Sequence, residues 1–423
     1  MKKKRSLNFI NLTSKISLQL FILLSLLSCN SETLSLPISS SSHSTSTETN
    51  KSENYFDKGW KTKMEGTDSK AKLGMKLFFD SNLSNPPGQS CSSCHSPSTA
   101  FSDPDRSHPT SKGIIPGRFG NRNSPTAMYT AFNPQFREQK DEESGELLWV
   151  GGLFLDGRAS TLEEQAKGPF LNPLEMNNPD KRTVVEKVQS AYAQEFMNEF
   201  GSDVFADPEK AYDRIAEVIA TFERTPVFSP FSSKYDAFLE GKATLTQEEM
   251  RGLKLFEDPK KGNCAACHPS QLGSNGEHPL FTDFTYDNIG LPKNPLNPFY
   301  AVDRLLNPTG KTFQDIGLAG TTKQDKDKGR FKVPTLRNIA LTAPYTHNGF
   351  FQTLKGTVEF YNSRDTRPSC KDPMTTESDA LSTGCWPKPE IEETANREEL
   401  GNLGLTEQDI DDIVSFLNTL TDS

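Results

Sequence analysis

Cys91-Ser92-Ser93-Cys94-His95 recurs 173 residues later as Cys264-Ala265-Ala266-Cys267-His268. Both copies have the Cys-x-x-Cys-His spacing of a c-type haem attachment site. The spacing follows from the chemistry. Two thiols add across the two vinyl groups of one porphyrin, and the adjoining histidine is held beneath the iron as proximal ligand. A redox pair or a zinc site does not require histidine at the next position in both copies. Paired zinc-type motifs also stand only about 15–20 residues apart. A structural metal site or a chance repeat is the competing reading. The motifs take four of the seven cysteines and predict two covalent haem c groups, with His95 and His268 on the irons.

At 423 residues the chain has room for two or three domains. A net charge of −9 argues against a nucleic-acid partner. Twenty-eight prolines and 28 glycines predict extensive loops, as suits a polypeptide wrapped around porphyrin. Lys2-Lys3-Lys4-Arg5 precedes an apolar run, Leu18 to Leu27, too short to span a membrane. It ends in Leu26-Leu27-Ser28-Cys29, similar to a bacterial lipoprotein signal. Residues 1–28 are therefore expected to be an export signal, with Cys29 lipidated in the cell envelope or periplasm. An ordinary secretory signal cut nearby is the alternative. Residues 1–28 hold five Lys or Arg and no acid, so their removal takes the net charge to −14. The Ser/Thr-rich stretch 29–52 reads as a flexible tether in which His43 is solvated.

Leu73, Leu77 and Phe78 form a short helical stripe before the first motif, broken at Pro86-Pro87-Gly88. A turn-rich loop then closes at Asn123-Ser124-Pro125-Thr126. Next comes Gly151-Gly152-Leu153-Phe154-Leu155-Asp156-Gly157-Arg158-Ala159, and then Leu162-Glu163-Glu164-Gln165-Ala166. These lead to Gly168-Pro169-Phe170-Leu171-Asn172-Pro173-Leu174-Glu175-Met176. With these ordered segments the sequence resembles the dihaem cytochrome c peroxidase and MauG family, over roughly residues 70–422.

The resemblance implies a set of roles. Glu175 would lie over the peroxide-binding haem with Gln165 beside it. Heterolytic O–O cleavage needs a group that moves a proton between the two oxygens, and a carboxylate does this. On its residues alone, Glu175 also suits an acid at a helix start opened by Pro173. Two departures matter. Family peroxidases that require reductive activation carry histidine after Ser-x-Gly; here Ser111-Lys112-Gly113 is followed by Ile114, which implies an open, five-coordinate iron. His108 is read as a solvent-exposed turn residue. The family tryptophan between the haems is replaced by Leu155, with Trp149 the nearby tryptophan available in its place.

Helices are predicted over 183–200 and 208–224, the latter with Asp207 as N-cap, Pro208 at its first position and one face of Ile215, Val218, Ile219 and Phe222. Pro226 to Pro230 marks the approach to a boundary, giving an N-terminal peroxidatic haem domain over 53–235 and a C-terminal electron-transfer haem domain over 236–423. Thr246-Gln247-Glu248-Glu249 opens a helix through Met250, Leu253 and Phe256. Residues 278–330 read as loop with His278 exposed. Phe331 to Asn338 and Leu341 to Gly349 again resemble the family, which holds calcium between its haem domains. By that match the ligands are the side-chain oxygen of Asn123 and the backbone oxygens of Thr342 and Pro344, a neutral set that suits Ca²⁺.

Tyr361 stands where family peroxidases place methionine and MauG-like members place tyrosine as sixth ligand of the second haem. A core aromatic is the plainer reading. Met374, the other thioether candidate after the second motif, is the runner-up ligand. Cys370 and Cys385 are expected to pair in an oxidising compartment. Thr406-Glu407-Gln408-Asp409 caps a last helix with Ile410, Ile413, Val414, Leu417 and Leu420.

The expected fold is mainly α, with two class I cytochrome c-like haem domains and extensive loops. The expected activity is reduction of hydrogen peroxide with electrons from a small redox protein or other donor. One alternative is a MauG-like oxidase acting on Trp or Tyr of a partner protein. Its relay tryptophan two residues before the second motif is replaced here by Gly262. The other is a non-catalytic dihaem electron carrier, against which Gln165 and Glu175 argue. Membrane contact is expected only through the lipid anchor.

Overall fold

A glycine on one helix of each half of the chain sets how closely that helix lies against a later one. The computed structural model describes Met64, residues 66–140 and 145–423, all within the unit Lys58–Ser423. The export signal, Cys29, the tether and His43 lie outside the described residues. The helices are α1 (Ser69–Phe79), α2 (Leu162–Leu171), α3 (Lys181–Phe200), α4 (Pro208–Glu223), α5 (Lys234–Leu239), α6 (Gln247–Glu257), α7 (Leu354–Ser363), α8 (Glu377–Thr383) and α9 (Glu407–Asn418). A single helical turn, Ala319–Thr322, lies in the long loop between α6 and α7. Two small antiparallel sheets pair β1 (Arg137–Lys140) with β2 (Leu147–Val150), and β3 (Tyr286–Asp287) with β4 (Phe331–Lys332). The hairpin β1–β2 was not anticipated from the sequence. Among the described residues no helix is long and apolar enough to cross a membrane.

The predicted stripe Leu73, Leu77 and Phe78 is buried. Helix α1 ends earlier than Pro86, because the Asp80 side chain accepts the Asn82 amide at 2.8 Å and starts a new turn. Helix α3 is kinked at Tyr192. Helix α4 begins as expected, with Asp207 accepting the Glu209 amide and Pro208 at the first position. In the first core Phe78 meets Phe101, Phe222 and Phe228 edge-on, with ring centroids 5.5–6.0 Å apart. A second core joins Phe256 and Phe281 to Ile410, Ile413, Phe416 and Leu417. A third, around Phe351, Phe360 and Trp386, lies beside the Cys370–Cys385 disulfide, which forms as predicted.

Helix α1 crosses α4 so closely that a Cβ on Gly74 would fall 1.8 Å from the Val218 carbonyl oxygen. Helix α6 crosses α9 in the same way, and a Cβ on Gly252 would fall 1.9 Å from the Asp412 carbonyl oxygen. Glycine costs about 1 kcal/mol of helix propensity at such positions, offset by backbone contact that no other residue permits. Capping boxes at Thr246/Glu249 and Thr406/Asp409 fix the starts of α6 and α9.

Long-range polar ties complete the packing. Arg337, 1% exposed, donates to both oxygens of Asp236 at 2.8 and 2.9 Å. Tyr129 donates to Asp422 at 2.7 Å. Burial opposes ionisation of Asp236, but Arg337 holds its carboxyl down to about 2. His278 corrects an expectation: it is half-buried, with Nδ1 2.7 Å from Asp236 and its ring 5.5 Å from Phe231. A buried carboxylate needs its lone pairs matched, and Arg337 supplies a donor to each oxygen from 101 residues downstream. His108 is also half-buried, its ring 5.0 Å from Phe119.

Replacing Gly252 with alanine is expected to destabilise the haem-loaded protein by about 1–3 kcal/mol, the usual range for overpacking. Urea denaturation followed by circular dichroism measures this. Increased stability would refute the close crossing, since without it alanine favours a helix over glycine by about 1 kcal/mol.

Candidate active site

Each attachment motif is folded by the same local device. Cys91–Ser93 and Cys264–Ala266 are single tight turns. The amides of His95 and His268 donate back to the carbonyls of Cys91 and Cys264, both at 2.9 Å. His95 Nδ1 then lies 3.0 Å from the Phe101 carbonyl oxygen, and His268 Nδ1 lies 2.7 Å from that of Phe281. A carbonyl only accepts, so each Nδ1 carries the proton and each Nε2 keeps its lone pair. Phe101 and Phe281 share a left-handed backbone, with φ of 55° and 53°, a conformation costing on the order of 1–3 kcal/mol for such residues.

Burial pushes both imidazoles down, His268 to about 4, so each is neutral at pH 7. Burial also pushes all four thiols up, Cys94 and Cys264 to about 12. A redox Cys-x-x-Cys shifts the other way. Among the described residues no three His, Cys, Asp or Glu side chains converge as a metal-ion cluster. Two half-buried thiols beside an imidazole whose Nδ1 is held by a carbonyl fit the attachment of haem in each motif.

In the second half, Cys264, Cys267, His268 and Tyr361 line one cavity. Its apolar wall includes Phe256, Leu336, Ile339, Leu354, Val358 and Ile413. Tyr361 comes from α7, and burial pushes its hydroxyl up. Met374 is not brought there: it is 41% exposed on the disulfide-closed insert. Asn123, Thr342 and Pro344, far apart in sequence, line the same cavity. The Asn123 side-chain amide lies 2.8 Å from the Pro344 carbonyl oxygen.

In the first half, α2 carries Gln165, half-buried, and ends at Asn172. Asn172 Nδ2 donates to Glu175 Oε1 at 2.8 Å. Burial pushes the Glu175 carboxyl up, against this hydrogen bond and the charge of Arg158. Gln89 Nε2 lies 3.8 Å from Cys94 Sγ and donates to the Lys112 carbonyl at 2.8 Å, which ties the attachment turn to the loop packed on Glu175. The Ile114 amide donates to the Glu175 carbonyl at 2.9 Å, so an apolar side chain occupies the loop packed on Glu175. Leu155 lines the second cavity, while Trp149 stacks on Phe136 at 4.6 Å.

Three cavity-associated residues were not singled out from the sequence. Lys332 lines the cavity and donates to Asn133 Oδ1 and to the Gly152 carbonyl, both at 2.7 Å. Burial lowers its ammonium to about 7 despite nearby Asp156. His347 lines the same cavity, stacks on Phe331 at 3.6 Å and is pushed down to about 3 by burial. Arg122 bridges Asp315 and Asp156 at 2.7 Å. The available signal was a charged or titratable side chain inside an otherwise apolar motif, as at Phe331-Lys332-Val333. One segment touches both sites: Ser124 lines the cavity, and its Oγ lies 3.4 Å from His95 Nε2.

The comparisons agree with this geometry. The family model for di-haem cytochrome c peroxidase matches residues 68–244. The methylamine utilization protein MauG of Paracoccus denitrificans is 38% identical over 364 residues, 84% of this chain and 89% of that protein. The cytochrome c551 peroxidase of Nitrosomonas europaea is 36% identical over 296 residues, 68% of this chain and 71% of that one. The crystal structure of the diheme peroxidase BthA from Burkholderia thailandensis superposes with a TM-score of 0.69 at 34% identity, covering 84% of this chain and 87% of that one. With two c-type haem motifs in a mainly helical fold, this chain belongs to the dihaem cytochrome c peroxidase family.

Proposed function

We propose that this haem oxidoreductase reduces hydrogen peroxide to water at its N-terminal haem, with Glu175 as acid–base and Gln165 as its partner. The observation that carries the reading is the half-buried carboxyl of Glu175, held by Asn172 on the segment that packs against the loop tied to Cys94 through Gln89. Each haem, when bound through its two cysteines and histidine, supplies an iron that accepts and passes on electrons. The chain's own contribution is proton management. Glu175 takes the proton from one peroxide oxygen and returns it to the departing one. Burial pushes this carboxyl up, which makes it the better base for the peroxide proton it then returns. Gln165 orients the peroxide through its amide. Ile114 leaves the distal side without an imidazole, so peroxide reaches the site without displacing one. Two electrons from a small redox protein or other donor and two protons balance the conversion of peroxide to two waters.

The division into domains 53–235 and 236–423 belongs to this reading, with the C-terminal haem as electron store. Tyr361, which lines the same cavity as His268, would with it hold the iron of this haem. A phenolate is a hard anionic donor that stabilises oxidised iron, whereas methionine raises the potential. Calcium would be held by Asn123 Oδ1 and the carbonyls of Thr342 and Pro344. Turning the Asn123 amide over would bring its oxygen beside the Pro344 carbonyl, and this neutral set with water suits Ca²⁺. Periplasmic residence with a lipid anchor at Cys29 completes the proposal.

A second reading, oxidation of Trp or Tyr in a partner protein, draws support from Tyr361 and from the likeness to MauG. Position 262 weighs against a relay through a tryptophan there. A Cβ on Gly262 would come within 2.1 Å of the Leu255 carbonyl oxygen, so this backbone admits no side chain. A pure electron carrier would leave Glu175 without work.

Glu175→Gln should keep both haems and lose peroxide turnover by about 10²-fold or more, read in a steady-state assay with a small reductant. Full activity would return Glu175 to a structural role. Wild-type protein should lack the weak near-infrared band of His–Met haem, and Tyr361→Phe should alter the spectrum of the second haem only. Methionine ligation in the wild type would overturn the assignment. Asn123→Ala should abolish tight calcium binding in calorimetric titration of chelator-treated protein, and unchanged affinity would remove the calcium site.

A further inference from the structure

The helix that carries Tyr361 is held at both ends by the chain segment closed by the Cys370–Cys385 disulfide. At its start, Glu377, the first residue of α8, reaches across to α7. Its Oε2 accepts the Gln352 amide at 2.7 Å. Its Oε1 occupies the space left by Gly356, where a Cβ would come within 2.0 Å of it. A carboxylate at this end also meets the positive pole of the helix dipole. At the other end, Trp386, 2% exposed, donates from Nε1 to Ser363 Oγ at 3.0 Å. Ser363 in turn donates to the Glu359 carbonyl at 2.6 Å. The indole packs edge-on against Phe360, with centroids 5.2 Å apart. Arg367 lies over the indole at 5.3 Å and pairs with Glu359. The disulfide and the bond from the Cys370 amide to the Trp386 carbonyl, 2.9 Å, close the segment onto itself.

We propose that this disulfide-closed insert is a positioning device: Glu377 and Trp386 clamp α7 and so fix the phenol of Tyr361 in the second haem cavity. The proposal rests on the reading of Tyr361 as an iron ligand. The physical reason lies in helix geometry. Successive residues are about 100° apart around the axis, so a slip of α7 by one residue would turn Tyr361 out of the cavity. A single ligand on a ten-residue helix needs that rotation stopped. Packing along one face resists separation, whereas ties at both ends resist rotation and sliding. Glu377 and Trp386 are thus positioning residues that act through α7.

Gly356→Ala separates this role from plain stability. A Cβ here meets the Glu377 carboxylate whatever its role, so some loss of stability is expected under either reading, and a merely structural one expects unchanged spectra of the second haem. The clamp expects the Glu377 carboxylate to be pushed out, with loss of most of the tyrosine-to-iron resonance Raman signature of the second haem and a shift in its midpoint potential. The first haem should be unaffected. Glu377→Ala and the pair Cys370→Ser with Cys385→Ser should act in the same direction, and Glu377→Gln, which keeps an acceptor, should restore the signature. Identical spectra for wild type and Tyr361→Phe would overturn the ligand reading and the clamp with it. A Tyr361-dependent signature that survives Gly356→Ala, Glu377→Ala and loss of the disulfide would overturn the clamp alone.

Discussion

Both haem sites depend on one hydrogen bond, from a half-buried imidazole Nδ1–H to the carbonyl of a phenylalanine held in left-handed conformation. A buried histidine without this acceptor could turn over or change tautomer, and its Nε2 would no longer be reserved for a metal. Phe101 and Phe281 do two jobs at once. Their carbonyls hold the imidazoles, and their rings join the cores that hold the helices. The local backbone strain is tolerated because each ring is almost fully buried among other aromatics.

Around this repeated unit the two halves differ in what they face. The first presents a carboxyl, Glu175, next to its attachment turn and an apolar Ile114 on the adjoining loop. The second encloses an apolar cavity closed by a phenol. Buried charge lies beside that cavity: Arg122 spans Asp156 and Asp315, and Lys332 lies near Asp156. Ion pairs of this kind lose much hydration on burial and persist when their hydrogen bonds are satisfied from several directions. Here the partners come from segments as distant as residues 122 and 315.

The segment Asn123-Ser124-Pro125-Thr126 is the part of the chain common to both sites. Its asparagine amide meets the Pro344 carbonyl, and its serine meets the imidazole of His95. Leu155 also lines the second cavity. Trp149, stacked on Phe136 beside the hairpin, does not line the cavity.

By itself the sequence determined the chemistry of attachment, because two thiols and a histidine at fixed spacing admit few other uses. It also determined the helices whose apolar faces and caps are local, α1, α4, α6 and α9, and the pairing of Cys370 with Cys385. Family likeness supplied Glu175, Gln165 and Tyr361 as site residues, roles that periodicity does not encode. Tertiary structure alone decided the rest. Gly74 and Gly252 carry no local signal of the close helix crossings they permit. His278 read as an exposed residue until Asp236 lay beside it. Lys332 and His347 read as parts of a motif until burial shifted their protonation. Local pattern records what a residue does to its own segment. It carries no trace of a partner brought up from a hundred residues away, and it is these partners that set burial, charge state and the position of Tyr361.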